Sequence, residues 1–286
     1  MYNTMRRDKI HVSTITGVAN INYELHLDKV FECFEIDDEL LYSEYGKTKH
    51  DKCAKGEPPG NKTVGKRFDN QNTLIWNLGE LQPNMKVFKN GKVQVTGVRS
   101  VEMGEKMIDL FVQRVRKHPS VLETDDGSPV VYHNGFQVCL INADFRMGCS
   151  IRRDVLYRIL VSMRMDCTYE PCIYPGVKLR YFHTDQKKGV CTCAKPCGEK
   201  KQKNDVCKRT TLSFFQSGCV IITGAANEAH IDEVCSFVNN LTTKHMDDIS
   251  MKDPLDPIRQ RVKHMGKCSI QRGKLIHAYR DFFVTS

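Results

Sequence analysis

The sequence predicts an α+β fold of two pseudo-symmetric repeats that share one long antiparallel sheet, with helices on one face. Three observations carry this. A ten-residue pattern is written twice, as Phe88-Lys-Asn-Gly91-Lys-Val-Gln-Val95-Thr96-Gly97 and as Phe215-Gln-Ser-Gly218-Cys-Val-Ile-Ile222-Thr223-Gly224. The offset is 127 residues at Phe, at both Gly and at Thr, which marks an internal repeat. Around each copy the elements follow the order strand, helix, several strands, helix, and two such units pack as a layer of helices on a sheet. The chain of 286 residues, 40% hydrophobic and 27% charged, has the size and composition to bury a core.

The first repeat, within residues 1–118, opens with a β-rich stretch, Val12 to Ile21. A short amphipathic helix follows, with Leu27, Val30, Phe31 and Phe34 on one face. Residues 43–67 carry seven Lys/Arg against three Asp/Glu around Pro58-Pro59-Gly60 and read as a long basic surface loop. Strands resume at Thr73–Leu78 and Met85–Phe88, and Asn90-Gly91 is a hairpin turn because both residues tolerate positive φ. Ser100 can cap a helix with Val101, Met107, Ile108, Phe111, Val112 and Val115 on its apolar face. Residues 119–133 read as a linker.

The second repeat, residues 134–245, repeats the order. Gly135–Phe145 is its opening strand. Ile151, Val155, Ile159 and Met163 mark a helix, Val177–Phe182 and Thr210–Phe215 are strands, and Ser217-Gly218 is the turn. Asn227 caps a last helix with Ile231, Val234, Val238 and Leu241 inward. Residues 246–286 form a C-terminal extension that belongs to neither repeat.

Charge and motifs narrow the function. A net charge of +9 favours an anionic partner such as nucleic acid. No apolar run is long enough to span a bilayer, and Met1–Arg7 lacks the apolar core of a signal peptide. There is no phosphate loop, dinucleotide-binding glycine fingerprint or His-Glu-x-x-His. The carboxylate pairs Glu102/Glu105 and Asp37/Asp38 read as solvated surface, so the expectation is that the chain is not an enzyme.

Thirteen cysteines without a signal peptide suggest reduced thiols or metal sites. Cys191, Cys193, Cys197 and Cys207 fall in an insertion, residues 183–209, with eight Lys/Arg against three Asp/Glu. Four thiolates can hold a tetrahedral zinc, and such sites stabilise loops too polar to form a core. Free thiols and disulfides are the alternatives. His183 and Cys53 are possible substitute ligands, and Cys167 and Cys172 are expected to be buried.

The duplicated block and the segment Tyr169-Glu170-Pro171-Cys172-Ile173-Tyr174-Pro175-Gly176 resemble the TATA-box-binding protein family over residues 10–243. The second-repeat signature of that family has Phe where this chain has Tyr174. The insertions and tail look like those of divergent members from large DNA viruses or protists. The resemblance implies a saddle: one long curved sheet whose concave face binds the DNA minor groove and whose convex face carries the helices. In that family two pairs of Phe wedge into the ends of the site and kink the duplex, a property that comes with the family rather than from these residues.

Carried over residue by residue, the resemblance makes Phe88, Tyr174 and Phe215 wedges. Phe68 is a fourth candidate three residues out of place, and a gap-free count puts Gln71 there instead. Thr96 and Thr223 match groove-floor threonines and Ile221 an apolar floor residue, with the polar Gln94 as its mate. Thr14 and Leu140 stand where the family has two central asparagines, with Asn142 two residues further on the same face. Lys92 and Arg180 match basic residues that approach phosphates, and Cys219 replaces a lysine. Taken singly, a Phe before a hairpin is more often core and a strand Thr is an ordinary β-former; the duplication and the neighbouring signature reverse that for the aromatics.

The resemblance further implies a transcription initiation factor that binds and bends A·T-rich promoter DNA and recruits RNA polymerase machinery. Its partners would be double-stranded DNA and general transcription factors A and B or viral counterparts. Its place would be the nucleus, or a cytoplasmic viral factory or virion. The alternative is the same saddle used as a non-bending protein-interaction or nucleic-acid-binding module.

Overall fold

The two glycine-centred blocks become two hairpins of a single sheet. The computed structural model of the chain describes residues 10–46, 54–58, 70–186, 188–193, 197 and 207–251. In chain order the elements are β1 (His11–Asn20), α1 (Leu27–Cys33), β2 (Leu40–Glu44), β3 (Ala54–Gly56), β4 (Gln71–Trp76), β5 (Asn84–Phe88), β6 (Lys92–Val98) and α2 (Val101–Lys117), then β7 (Gln137–Arg146), α3 (Arg153–Ser162), β8 (Asp166–Thr168), β9 (Val177–His183), β10 (Lys208–Phe214), β11 (Cys219–Ala225) and α4 (Glu228–Ile249). The strands form one antiparallel sheet in the order β3-β2-β4-β5-β6-β1-β7-β11-β10-β9-β8.

That order reads alike in both directions from the β1/β7 pair. Outward from β1 come β6, β5, β4 and β2; outward from β7 come β11, β10, β9 and β8. Only β3 lacks a counterpart among the described residues. Ile15 lies opposite Ile141, and the two hold equivalent places in their halves, so a pseudo-two-fold axis passes between them. About that axis the pair Thr14–Asn142 exchanges with the pair Leu140–Thr16.

Glycine is required twice over at the hairpin turns. Gly91 and Gly218 both have φ of 74°, a region that side chains rarely enter. A Cβ on Gly91 would also come within 2.4 Å of the Tyr23 carbonyl oxygen, and one on Gly218 within 2.0 Å of that of Cys149. The close approach is used: the Ile21 N–H donates to the Gly91 carbonyl at 2.9 Å and the Met147 N–H to that of Gly218 at 2.8 Å.

Strand alternation separates the two faces of the sheet. Val93, Val95, Val220 and Ile222 are fully buried in the core with Phe111, Val112, Val234 and Val238 of the helices. Their sequence neighbours Lys92, Gln94, Thr96, Ile221 and Thr223 stay at least partly accessible. The helices thus cover one face and leave the other open. As expected, Ser100 Oγ accepts from the Met103 N–H at 3.2 Å and Asn227 Oδ1 from the His230 N–H at 2.9 Å, capping α2 and α4.

Several expectations need correcting. Two short strands, β2 and β3, occupy residues within or beside the segment read as a loop. In α1 Phe31 is not on the buried face; it lies under Lys55, whose Nζ is 4.9 Å from the ring and donates to the Phe31 carbonyl at 2.7 Å. Val101 is exposed at the start of α2. In α3 the buried row is Leu156 and Leu160, while Met163 is exposed. Two apolar rows run side by side there, so periodicity alone could not choose between them. The linker contributes Val121, Leu122 and Val131 to the core, and α4 runs on to bury Met246 and Ile249, past the expected start of the extension. Residues 252–286 lie outside the described residues.

Candidate nucleic-acid interface

Phe88 and Phe215 sit at the β5–β6 and β10–β11 turns, and Tyr174 sits in the β8–β9 connection. The register of β9 and β10 ends at Val177 opposite Phe214, so one step further brings Gly176 beside Phe215. A Cβ on Gly176 would lie 2.8 Å from the Tyr174 ring and 3.3 Å from the Phe215 ring. The missing side chain lets the two rings meet edge to face, with centroids 5.8 Å apart. Both stay half exposed. Lys178 places its Nζ 3.9 Å from the Tyr174 ring centroid, a cation–π contact that supports the ring from one side.

The first half differs. Phe88 is half exposed and lies opposite Gln71. Gln71 is therefore the counterpart of Gly176, not of Tyr174, because cross-strand pairing rather than residue count sets the position. The counterpart of Tyr174 falls at residue 69; that residue and the candidate Phe68 lie outside the described residues.

Between the aromatic ends runs a floor of small and apolar side chains. Thr16 Oγ1 donates to Thr96 Oγ1 at 3.3 Å. At the axis-related place, Asn142 Oδ1 accepts from the Gly224 N–H at 3.1 Å, beside Thr223. Thr16 is an open-face residue that sequence reasoning missed; only the β1–β7 register, which sets Ile15 opposite Ile141, makes it the mate of Asn142. Thr14 Oγ1 is buried and has no hydrogen-bond partner among the described residues. Ile221 is 36% exposed. Lys92 is exposed, whereas Arg180 is held by an ion pair, its Nη2 2.6 Å from Asp166 Oδ1 on the edge strand β8.

The four loop thiols converge. Cys191, Cys193, Cys197 and Cys207 bring their sulfurs within 4.8 Å of one another. The sulfurs stand 3.5 Å apart for Cys193–Cys207, 3.7 Å for Cys193–Cys197 and 3.9 Å for Cys191–Cys207. A disulfide requires about 2.0 Å. A zinc ion with Zn–S bonds of about 2.3 Å in a tetrahedron sets sulfurs about 3.8 Å apart, which matches. The Cys197 N–H, donating to Cys191 sulfur, lowers the Cys191 thiol to about 7, while burial, followed by the neighbouring thiols, raises that of Cys207.

His183 is not a substitute ligand. Its Nδ1 is 2.9 Å from Glu233 Oε2 and its Nε2 2.8 Å from Thr210 Oγ1, so both ring nitrogens are engaged. It stacks on His230 at 3.7 Å, and burial, then the neighbouring His183, lowers the His230 pKa. Cys53 lies outside the described residues; Cys167 is half-buried and Cys172, expected inside, is exposed. Of the carboxylate pairs, Asp37 is bound by Arg114 Nη2 at 2.6 Å and Glu105 accepts from the Phe136 N–H at 2.8 Å, so both serve the fold.

Comparison with known proteins agrees with the fold. The profile of the family described as "Transcription factor TFIID (or TATA-binding protein, TBP)" matches residues 135–244. A TATA-box-binding protein-like protein of Acanthamoeba polyphaga mimivirus is 25% identical over 266 residues, 85% of this chain and 67% of that protein. The TATA-box-binding protein of Picrophilus torridus is 24% identical over 161 residues, 56% of this chain and 68% of that protein. The solved structure of Methanococcus jannaschii TBP superposes with a TM-score of 0.50 at 16% identity, covering 82% of this chain and 99% of that one. That likeness concerns the fold.

Proposed function

We propose that this chain, a divergent member of the TATA-box-binding protein family of transcription factors, binds A·T-rich promoter DNA through the minor groove and bends it. The observation that carries the reading is the open face: aromatics at both ends, Phe88 at one and the Tyr174–Phe215 pair at the other, with a Thr, Asn and Ile floor between them. A half-exposed ring beside a rigid turn can stack on an unstacked base step. Flat strand residues can lie on the groove floor, where A·T pairs carry no exocyclic amine, and Thr hydroxyls can donate to the acceptors there. Members of this family are not enzymes, and the role of the chain is binding.

The four-thiolate cluster holds zinc in this reading. The sulfur separations fit that ion, and the surrounding loop carries too many charges to fold around an apolar core of its own. The zinc would tie the insertion to the end of β9 and the start of β10, leaving the sheet unchanged. The helical face and the sheet ends recruit the polymerase machinery, through general transcription factors A and B or their viral counterparts; the mimivirus relative supports the viral version. A non-bending module is the second reading, favoured by Gln94 and the charged Asp144 among the Thr, Asn and Ile of the floor.

The test is groove-specific competition. A minor-groove ligand such as netropsin should displace the protein, and methyl groups added in the major groove should leave binding unchanged. Energy transfer between dyes at the duplex ends should report a bend. The reverse pattern of competition, or binding to a straight duplex, overturns the reading.

A further inference from the structure

One residue on the open face does not suit an all-A·T floor. Asp144 lies opposite His11 on β1 and opposite Ile221 on β11, one open-face position beyond Asn142. Its neighbours along the strand, Ala143 and Phe145, are buried in the core, so its carboxylate belongs to the open face and is 37% exposed. His11 Nδ1 is 3.0 Å from Asp144 Oδ1. A carboxylate only accepts, so the ring nitrogen is the donor. That bond fixes the carboxylate and leaves its other oxygen as an acceptor.

An acceptor there has a specific meaning in a minor groove. A·T pairs present only the acceptors A N3 and T O2, whereas G·C adds the guanine N2 amine, a donor. Over A·T the Asp144 oxygen faces other acceptors; over G·C it can receive a hydrogen bond, and bonds to charged acceptors are the stronger kind. The axis-related place is Val18, which lies opposite Gln94 as Asp144 lies opposite Ile221. The floor is therefore apolar at one place and acidic at its mate.

Resting on the DNA-binding reading above, we infer that Asp144, positioned by His11, is a specificity-determining residue that selects a G·C pair in the half of the site under the second repeat. Because Val18 offers no equivalent acceptor, the preferred site is asymmetric, and the G·C pair sets the direction in which the protein sits on a promoter.

The test uses full-length protein and a bound duplex in which each pair in turn is made A·T, G·C or inosine·C. Inosine lacks only the minor-groove amine. At one position in the second-repeat half, G·C should bind roughly tenfold tighter than inosine·C, the size of one good base contact. Asp144→Val should erase that difference. Asp144→Asn, which keeps the shape and loses the charge, should shrink it, and it serves if the first variant does not fold. Equal binding of G·C and inosine·C at every position, or a preference unchanged in both variants, overturns the inference while leaving minor-groove binding standing. Failure to bind any duplex overturns both.

Discussion

Removing the wedges one at a time should separate the two ends of the site. Phe215→Ala takes away a half-exposed ring that meets the Tyr174 ring at 5.8 Å. The core is not opened, because its neighbour Phe214 is the fully buried residue. The loss should therefore appear in binding and not in stability. Base–aromatic stacking is worth about 1–3 kcal/mol per base, or roughly five- to 150-fold in Kd. Tyr174→Ala should cost a similar amount, since Tyr174 is held by Phe215 on one side and by Lys178 on another. The rings touch, so the double variant should cost less than the sum, by about 0.5–1.5 kcal/mol of coupling. Phe88→Ala should cost less than either, because among the described residues Phe88 has Gln71 beside it and no second ring. The assay is equilibrium titration with a dye-labelled duplex, read for both Kd and bend angle. Three variants that bind and bend like the parent would show that the aromatics are bystanders.

Other expectations follow from the same geometry. Gly176→Ala would place a Cβ 2.8 Å from the Tyr174 ring; the ring can swing away, so thermal stability should hold while DNA affinity falls as in Tyr174→Ala, and unchanged affinity would remove the pair from the site. Elemental analysis should find about one zinc per chain, falling in Cys197→Ser with faster proteolysis inside residues 191–207 and an unchanged far-ultraviolet spectrum; metal-free protein with an intact loop would refute the site. Deleting residues 59–67, which removes Lys62, Lys66 and Arg67, or 198–206, which removes Lys200, Lys201 and Lys203, should lower the salt slope by about one for each phosphate no longer neutralised; an unaltered slope would mean that these residues do not touch DNA. The His230 pKa is lowered in the fold by burial and by His183, with Lys208 acting in the same direction and Glu233 opposing. The unfolded chain then binds the extra proton first, so stability present above about pH 6.5 should fall as pH drops below it. A melting temperature flat from about pH 7.5 to 5.5, or a slope that survives His230→Phe, would count against that account.

What the sequence determined by itself was local chemistry. Gly91 and Gly218 declare their turns because no other residue takes φ of 74° at such close backbone approach. Ser100 and Asn227 declare helix starts because their side chains meet amides three residues on. The block duplication put Phe88 and Phe215 on equivalent hairpins, and four nearby thiols suggested their own convergence. The tertiary structure decided whatever depended on register between distant strands. Thr16 became the mate of Asn142 only when the bulged β1–β6 and β1–β7 ladders fixed pairs far apart in the chain. Gln71 became the mate of Gly176 only when the β4–β5 and β9–β10 registers were laid side by side. The short strands β2, β3 and β8 carry too little periodicity to be read in isolation. The Asp144–His11 pair joins residues 133 positions apart, because β1 and β7 meet only once both repeats have folded.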